Sequence, residues 1–115
     1  MRQFPVLVLL AMAAPAAVLA HHGWGSYDAS KIMIVEGPIQ TLSYVNPHAT
    51  ITVKAAEKTW TVTLGPVSRM QSRGAPAELV AVGRNVKAEG YASKVEPDEM
   101  RAERITVDGK TVEMR

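Results

Sequence analysis

Apolar and polar residues alternate in two runs that lie almost back to back. Ile51 and Val53 are interleaved with Thr50, Thr52 and Lys54, and then Trp60, Val62 and Leu64 with Thr59, Thr61 and Thr63. A period of two sends every second side chain to the same face, which a helix cannot do. Ala56-Glu57-Lys58 leaves room between the runs for a turn and nothing more. The segment therefore predicts an antiparallel hairpin with one apolar face, on which Trp60 is expected in the core. A face of that kind has to be covered by further structure, so this stretch commits the chain to a layered β architecture.

The remaining elements follow from the same rules. Residues 32–35 and 39–45 are strand-like, and their apolar phase changes across Gly37-Pro38, as expected for a bulged strand that serves two sheets. Pro66 stands where a helix can begin, with Val67 and Met70 facing inward, Arg69 and Arg73 outward, and Gly74 as the stop. After a loop with Pro76 and a brief apolar stretch at Leu79, Val80 and Val82, alternation resumes in Val86, Ala88 and Gly90. Residues 93–99 form a polar loop, and strands near 101–107 and 110–114 meet at Asp108-Gly109, a two-residue hairpin turn. Three strands, a short helix and two or three more strands give an all-β class with one helix. The expected fold is a small OB-like Greek-key barrel of five to six strands over residues 32–115. Residues 21–31, rich in Gly, Ser and Asp, read as an irregular N-terminal arm.

Residues 1–20 have a different character. Arg2 precedes an apolar run beginning at Phe4, and Val18-Leu19-Ala20 closes it with the small residues of a signal-peptide cleavage site. The segment is too short and Ala-rich to remain as a stable membrane anchor. A periplasmic location is expected. Cleavage removes Arg2, so the formal net charge falls from +2 to +1, and the remaining chain is about 40% apolar, ordinary for a soluble domain. Near-neutral charge provides no field to gather nucleic acid or anionic lipid. With no cysteine in the chain, the fold depends on core packing alone and thiolate metal sites are excluded. A monomer is expected.

Export would leave His21-His22 at the amino terminus, and the one other histidine, His48, follows Asn46-Pro47. These features, with Asp28, Glu36-Gly37, the Pro66-to-Gly74 segment ending Arg73-Gly74, and Gly83 before an alternating strand, resemble a family of small secreted bacterial proteins. That family is the domain of unknown function 6152. The likeness covers nearly all of the exported chain and is most specific at the paired histidines and Asn-Pro-His. Gly23 stands where the family commonly has Ser. The resemblance implies a secreted protein and carries no activity.

Chemistry is therefore argued from the residues. A histidine at a free amino terminus chelates a metal through its amine and its Nδ1, which the same residue inside a chain cannot do. The amine titrates near 8 and imidazole near 6.5, so a divalent ion competes only with weakly held protons at neutral pH. Nitrogen donors without thiolate favour copper(II), with zinc as runner-up. The candidate metal ligands are His21, His22 and His48, and His21 with His48 ranks first because adjacent side chains in an extended arm diverge. For the amino terminus to reach His48, the arm is expected to run back along the first strand. Ten extended residues span up to about 33 Å, against a strand contour of about 40 Å.

Plainer roles are open for the same residues. The histidine pair suits a solvated chain end, and His48 suits a hydrogen bond within its turn. Trp24 and Tyr27 are expected to pack the arm onto the barrel rather than to stack on a ligand. Met33, Met70, Met100 and Met114 are copper(I) ligands in principle and core residues by preference. Asp28 and Glu36 are candidates to support an imidazole from behind, or simply solvated carboxylates. No zinc-hydrolase motif, phosphate-binding glycine loop, cysteine nucleophile or serine elbow is present, so no enzyme is expected. Two readings result: a periplasmic, non-enzymatic metal-binding protein, or a metal-free module that engages an envelope protein.

Overall fold

The computed structural model describes residues 23–115. The expected signal peptide and both His21 and His22 lie outside the described residues. Six strands form in the order β1 (Met33–Ser43), β2 (Thr50–Ala55), β3 (Lys58–Thr63), β4 (Asn85–Ala92), β5 (Glu99–Val107) and β6 (Lys110–Glu113). One α-helix, α1 (Val67–Ser72), lies between β3 and β4. β1 is antiparallel to β2 and to β4, β2 to β3, and β4 to β5. β3 then pairs in parallel with β5, closing five strands into a barrel, and β6 extends β5. This is the OB-like barrel with one helix that the strand order predicts.

β1 serves both halves of the barrel, as its phase change suggests. Met33 through Pro38 pair with β4, and Ile39 through Ser43 with β2. The irregularity, however, falls between Ile39 and Thr41 rather than at Gly37-Pro38, which remains within the strand. Gly37 has a different purpose there. A Cβ on it would stand 2.1 Å from the Lys54 carbonyl oxygen, so the strand passes a neighbouring backbone that only glycine clears.

The hairpin forms as its alternation requires, with Ala55 opposite Lys58 around a two-residue turn. Ile51, Val53, Val62 and Leu64 are fully buried, each contributing roughly 1.5–3 kcal/mol of transfer free energy. Trp60 is a correction to the expectation. It is half-buried at the core's margin, with the Lys58 Nζ 4.0 Å above its ring, because an indole here reaches past the apolar face and gains a cation instead.

α1 ends as Gly74 predicts. Gly74 takes φ +90°, the Ala75 amide donates to the Met70 carbonyl at 2.7 Å, and the Gly74 amide donates to Gln71, a Schellman cap. Met70 is buried while Val67 is only half-buried. Arg69 and Arg73 do not simply face outward. Arg69 donates to the Met114 carbonyl at 3.0 Å, and Arg73 to the carbonyls of Glu113 and Arg115, so the helix clamps the chain end beyond β6. Met70, Met100 and Met114 fill the core with Met33 packed against it, which supports their reading as packing residues. Among the described residues no helix is long and apolar enough to cross a membrane.

Gly37→Ala should cost about 1–3 kcal/mol of stability through the forced contact with Lys54. Gly25→Ala, where an added Cβ meets nothing within 4 Å, should be close to neutral. Urea denaturation of the two variants checks this, and equal midpoints would count against the close-approach account.

Candidate functional site

Closure of β3 onto β5 assembles a polar and aromatic cluster from four separate segments. Thr63 pairs with Arg101 in the parallel ladder, and the Ala49 and Leu64 amides continue the β2–β3 pairing by one step. His48 stands immediately before that last pair, following the cis Asn46–Pro47 bond, and is half-buried. Its Nε2 accepts a hydrogen bond from the Arg101 guanidinium at 3.4 Å. Arginine has no acceptor, so Nε2 must offer its lone pair and the ring proton resides on Nδ1 in this arrangement.

Arg101 itself is only 5% exposed. Burial pushes its pKa down, the nearby Tyr27 opposes that shift, and Arg69 and Arg115 add like-charge repulsion. Taking a guanidinium out of water costs several kcal/mol unless partners replace the solvent. The Trp24 ring is one such partner, with the Arg101 Cζ 4.1 Å from its centroid, a contact worth about 2 kcal/mol when desolvated. Arg115 also lies over Trp24, at 4.3 Å, and Tyr91 meets the indole edge-on with centroids 6.1 Å apart.

Tyr27 secures the arm. It is 3% exposed, pairs with Ser93 in an isolated bridge, and donates its hydroxyl to Glu99 Oε2 at 2.7 Å. Thr63 donates to the same oxygen at 3.1 Å. The Asp28 amide donates to Ala92 and the Lys94 amide to Ser26, so the arm lies along the end of β4 and the loop that follows. Burial first, then the Glu99 carboxylate, push the Tyr27 phenol up to about 12. Trp24 and Tyr27 thus do pack the arm onto the barrel.

The route of the arm corrects the expected geometry. It does not run back along β1. It continues beyond the start of β1 beside β4 and reaches the first residues of β5, to which barrel closure has already brought His48. Connected through Arg101, Trp24 and the His48 Nε2 are at most about 9 Å apart, counting the two contacts and one C–N bond of about 1.3 Å.

Of the expected ligands, only His48 is among the described residues. Among the described residues no three His, Cys, Asp or Glu side chains are arranged to hold a metal. The Asp28 carboxylate is engaged within its own loop. It accepts from the Ser30 amide at 3.0 Å and from the Ser30 hydroxyl at 2.6 Å, and those bonds lower its pKa. Glu36 is exposed on the part of β1 that pairs with β4, opposite Lys87.

Sequence reasoning missed Arg101. Strict alternation with Met100 and Ala102 turns it outward, onto the face of its ladder partner Tyr91, and there Trp24 of the arm covers both, so Arg101 is buried along with its neighbours. Gly90 marks only the close pairing of the two backbones. A Cβ there would lie 1.9 Å from the Arg101 carbonyl oxygen, and glycine in an apolar strand position marks such an approach.

Comparison with family models matches residues 8–99 to a family described only as being of unknown function, DUF6152. No curated protein matches the chain.

The Tyr27 phenol is more easily kept neutral when folded than when unfolded. Its contribution to stability should therefore be complete below pH 10 and disappear as pH rises through about 12. Tyrosinate absorbance during an alkaline titration should show a late component near pH 12 that Tyr27→Phe removes. A full-amplitude late component in that variant would contradict the assignment.

Proposed function

The chain belongs to the family of unknown function DUF6152, and for it we propose an exported, periplasmic, non-enzymatic protein that binds copper(II) through an amino-terminal histidine and His48. Zinc is the second choice of metal. One observation carries this reading: the arm enters the described region at the Trp24–Arg101 contact, and Arg101 touches His48. The described arm therefore starts in the neighbourhood of His48, which is what a chelate between the two would need.

The donors suit the ion. A free amine, the imidazole of the same residue and a second imidazole form an all-nitrogen set without thiolate, the type for which copper(II) has the highest affinity among divalent first-row metals. His22 assists if the arm turns. All these donors must be deprotonated to bind, so the site is expected to empty as pH falls through the imidazole range near 6.5. Tyr27 and Trp24 contribute by fixing the arm, which lowers the ordering cost of bringing the terminus to His48.

A metal-free docking module for an envelope protein is the second reading. The Arg101–His48 hydrogen bond favours it, since the guanidinium engages the Nε2 lone pair that a metal would use.

The two readings separate in a copper(II) titration of three proteins: one beginning at His21, one with a single residue added before it, and the His48→Ala form. Blocking the terminal chelate or deleting His48 should each weaken binding by more than the roughly 10–100-fold that loss of an outer partner costs. Equal affinities across the three would end the chelate proposal. Capture of an envelope protein that survives chelators and His48→Ala would support the docking reading instead.

A further inference from the structure

We infer that the outer face of β1, β2 and β3, together with a cavity at its β5 end, binds an oligosaccharide that carries an amine. The inference goes beyond the metal reading and uses none of its ligands. Strand register lines up hydroxyl groups across this face. Thr41, Thr52 and Thr61 stand opposite one another on three strands, and Thr61 is opposite Glu99 on β5. Ser43, Thr50 and Thr63 form a second row beside the first. Strands about 4.8 Å apart carry the first row over roughly 14 Å. Each hydroxyl both donates and accepts, so the 2.6 Å bond between Thr41 and Thr52 leaves hydrogen-bonding capacity on both groups. No charged residue stands in either row on β1, β2 or β3, a surface that matches sugar hydroxyls and gives a polyanion no counter-charge.

Threonine is a common outward residue on strands, and what sets this face apart is where its first row ends. Thr61 and Glu99 also line an open cavity of about 360 Å³, whose other walls are Glu96, Pro97 and Asp98. That volume lies within the roughly 300–1,000 Å³ of small-molecule sites. The wall is fastened in place. The Thr61 amide donates to the Asp98 carbonyl at 2.9 Å, and the Ser93 hydroxyl oxygen accepts from the Val95 and Glu96 amides at 3.0 and 2.9 Å. Carboxylates at Glu96, Asp98 and Glu99 repel anions and attract a cation. An ammonium group already shows the fit at the rim, where the Lys58 Nζ lies 3.1 Å from Asp98 Oδ1 and 4.0 Å above the Trp60 ring. Both members of that ion pair are exposed, so lysine holds its place weakly and yields to a ligand amine anchored by further contacts along the rows. An amino sugar combines the two chemistries this surface offers, an ammonium for the cavity and hydroxyls for the rows.

Calorimetric titration of the chain beginning at His21 compares a β-linked glucosamine tetramer, the matching glucose tetramer and tetralysine. The glucosamine tetramer should bind most tightly and should shift the amide NMR signals of Thr52, Thr61 and Asp98. Asp98→Asn should weaken its binding by at least about tenfold and Thr52→Val by about three- to tenfold, because hydrogen bonds to charged groups are worth more than neutral ones. Valine keeps the shape and strand preference of threonine, so loss of affinity in that variant reports the hydroxyl rather than the fold. Equal binding of tetralysine, or unchanged affinity in Thr52→Val, would reduce the cavity to an acidic patch and overturn the inference. Equal binding of the glucose tetramer would overturn the part assigned to the carboxylates, and absence of glucosamine-tetramer binding would overturn the whole. Binding that persists in a metal chelator supports a site separate from the copper reading, and binding that a chelator abolishes contradicts it.

Discussion

Three residue pairs of parallel strand, Thr61 with Glu99, Val62 with Met100 and Thr63 with Arg101, hold this molecule in its working shape. Without them the antiparallel chain of strands would remain an open sheet, with the β3 edge and the start of β5 far apart. With them Val62 and Met100 meet in one core, and the polar ends of four segments converge. The cluster of His48, Arg101, Glu99, Thr63, Trp24 and Tyr27 is a product of closure.

Burial of Arg101 follows from the same constraint. The arm, held at the start of β5, covers the outer face on which Arg101 lies beside Tyr91, and so a permanent charge is buried. The protein offsets that cost by surrounding the charge, with indole above it, imidazole at its end and a carboxylate two positions away on its own strand. Each neighbour comes from a different part of the chain. The arm is thus tied to the barrel partly through a side chain that also touches His48.

Much of the fold was legible because period-two alternation is a local signal of burial. Ile51, Val53, Val62, Leu64, Val86 and Ala88 all lie where that pattern puts them, and Asp108-Gly109 turns with both φ angles positive. Alternation misplaced what a long side chain or a register shift decides. Trp60 overreaches its face, the irregularity of β1 sits beyond Gly37-Pro38, and Arg69 and Arg73 bend back to carbonyls of Glu113, Met114 and Arg115, forty or more residues away. The site was less legible still. His48 could be named from residue type and Trp24 and Tyr27 as packing groups, whereas Arg101 gave no sign of its place.

The sequence by itself determined the elements, their order and the inventory of nitrogen donors, because hydrophobic period, turn chemistry and residue type are properties of neighbours along the chain. Tertiary structure decided which of those donors and cations share a space. The arm passes beside β4 instead of returning along β1, and His48 comes to it through pairing of strands nearly forty residues apart. Contacts of that range depend on how a sheet twists and closes, and no local pattern encodes the result.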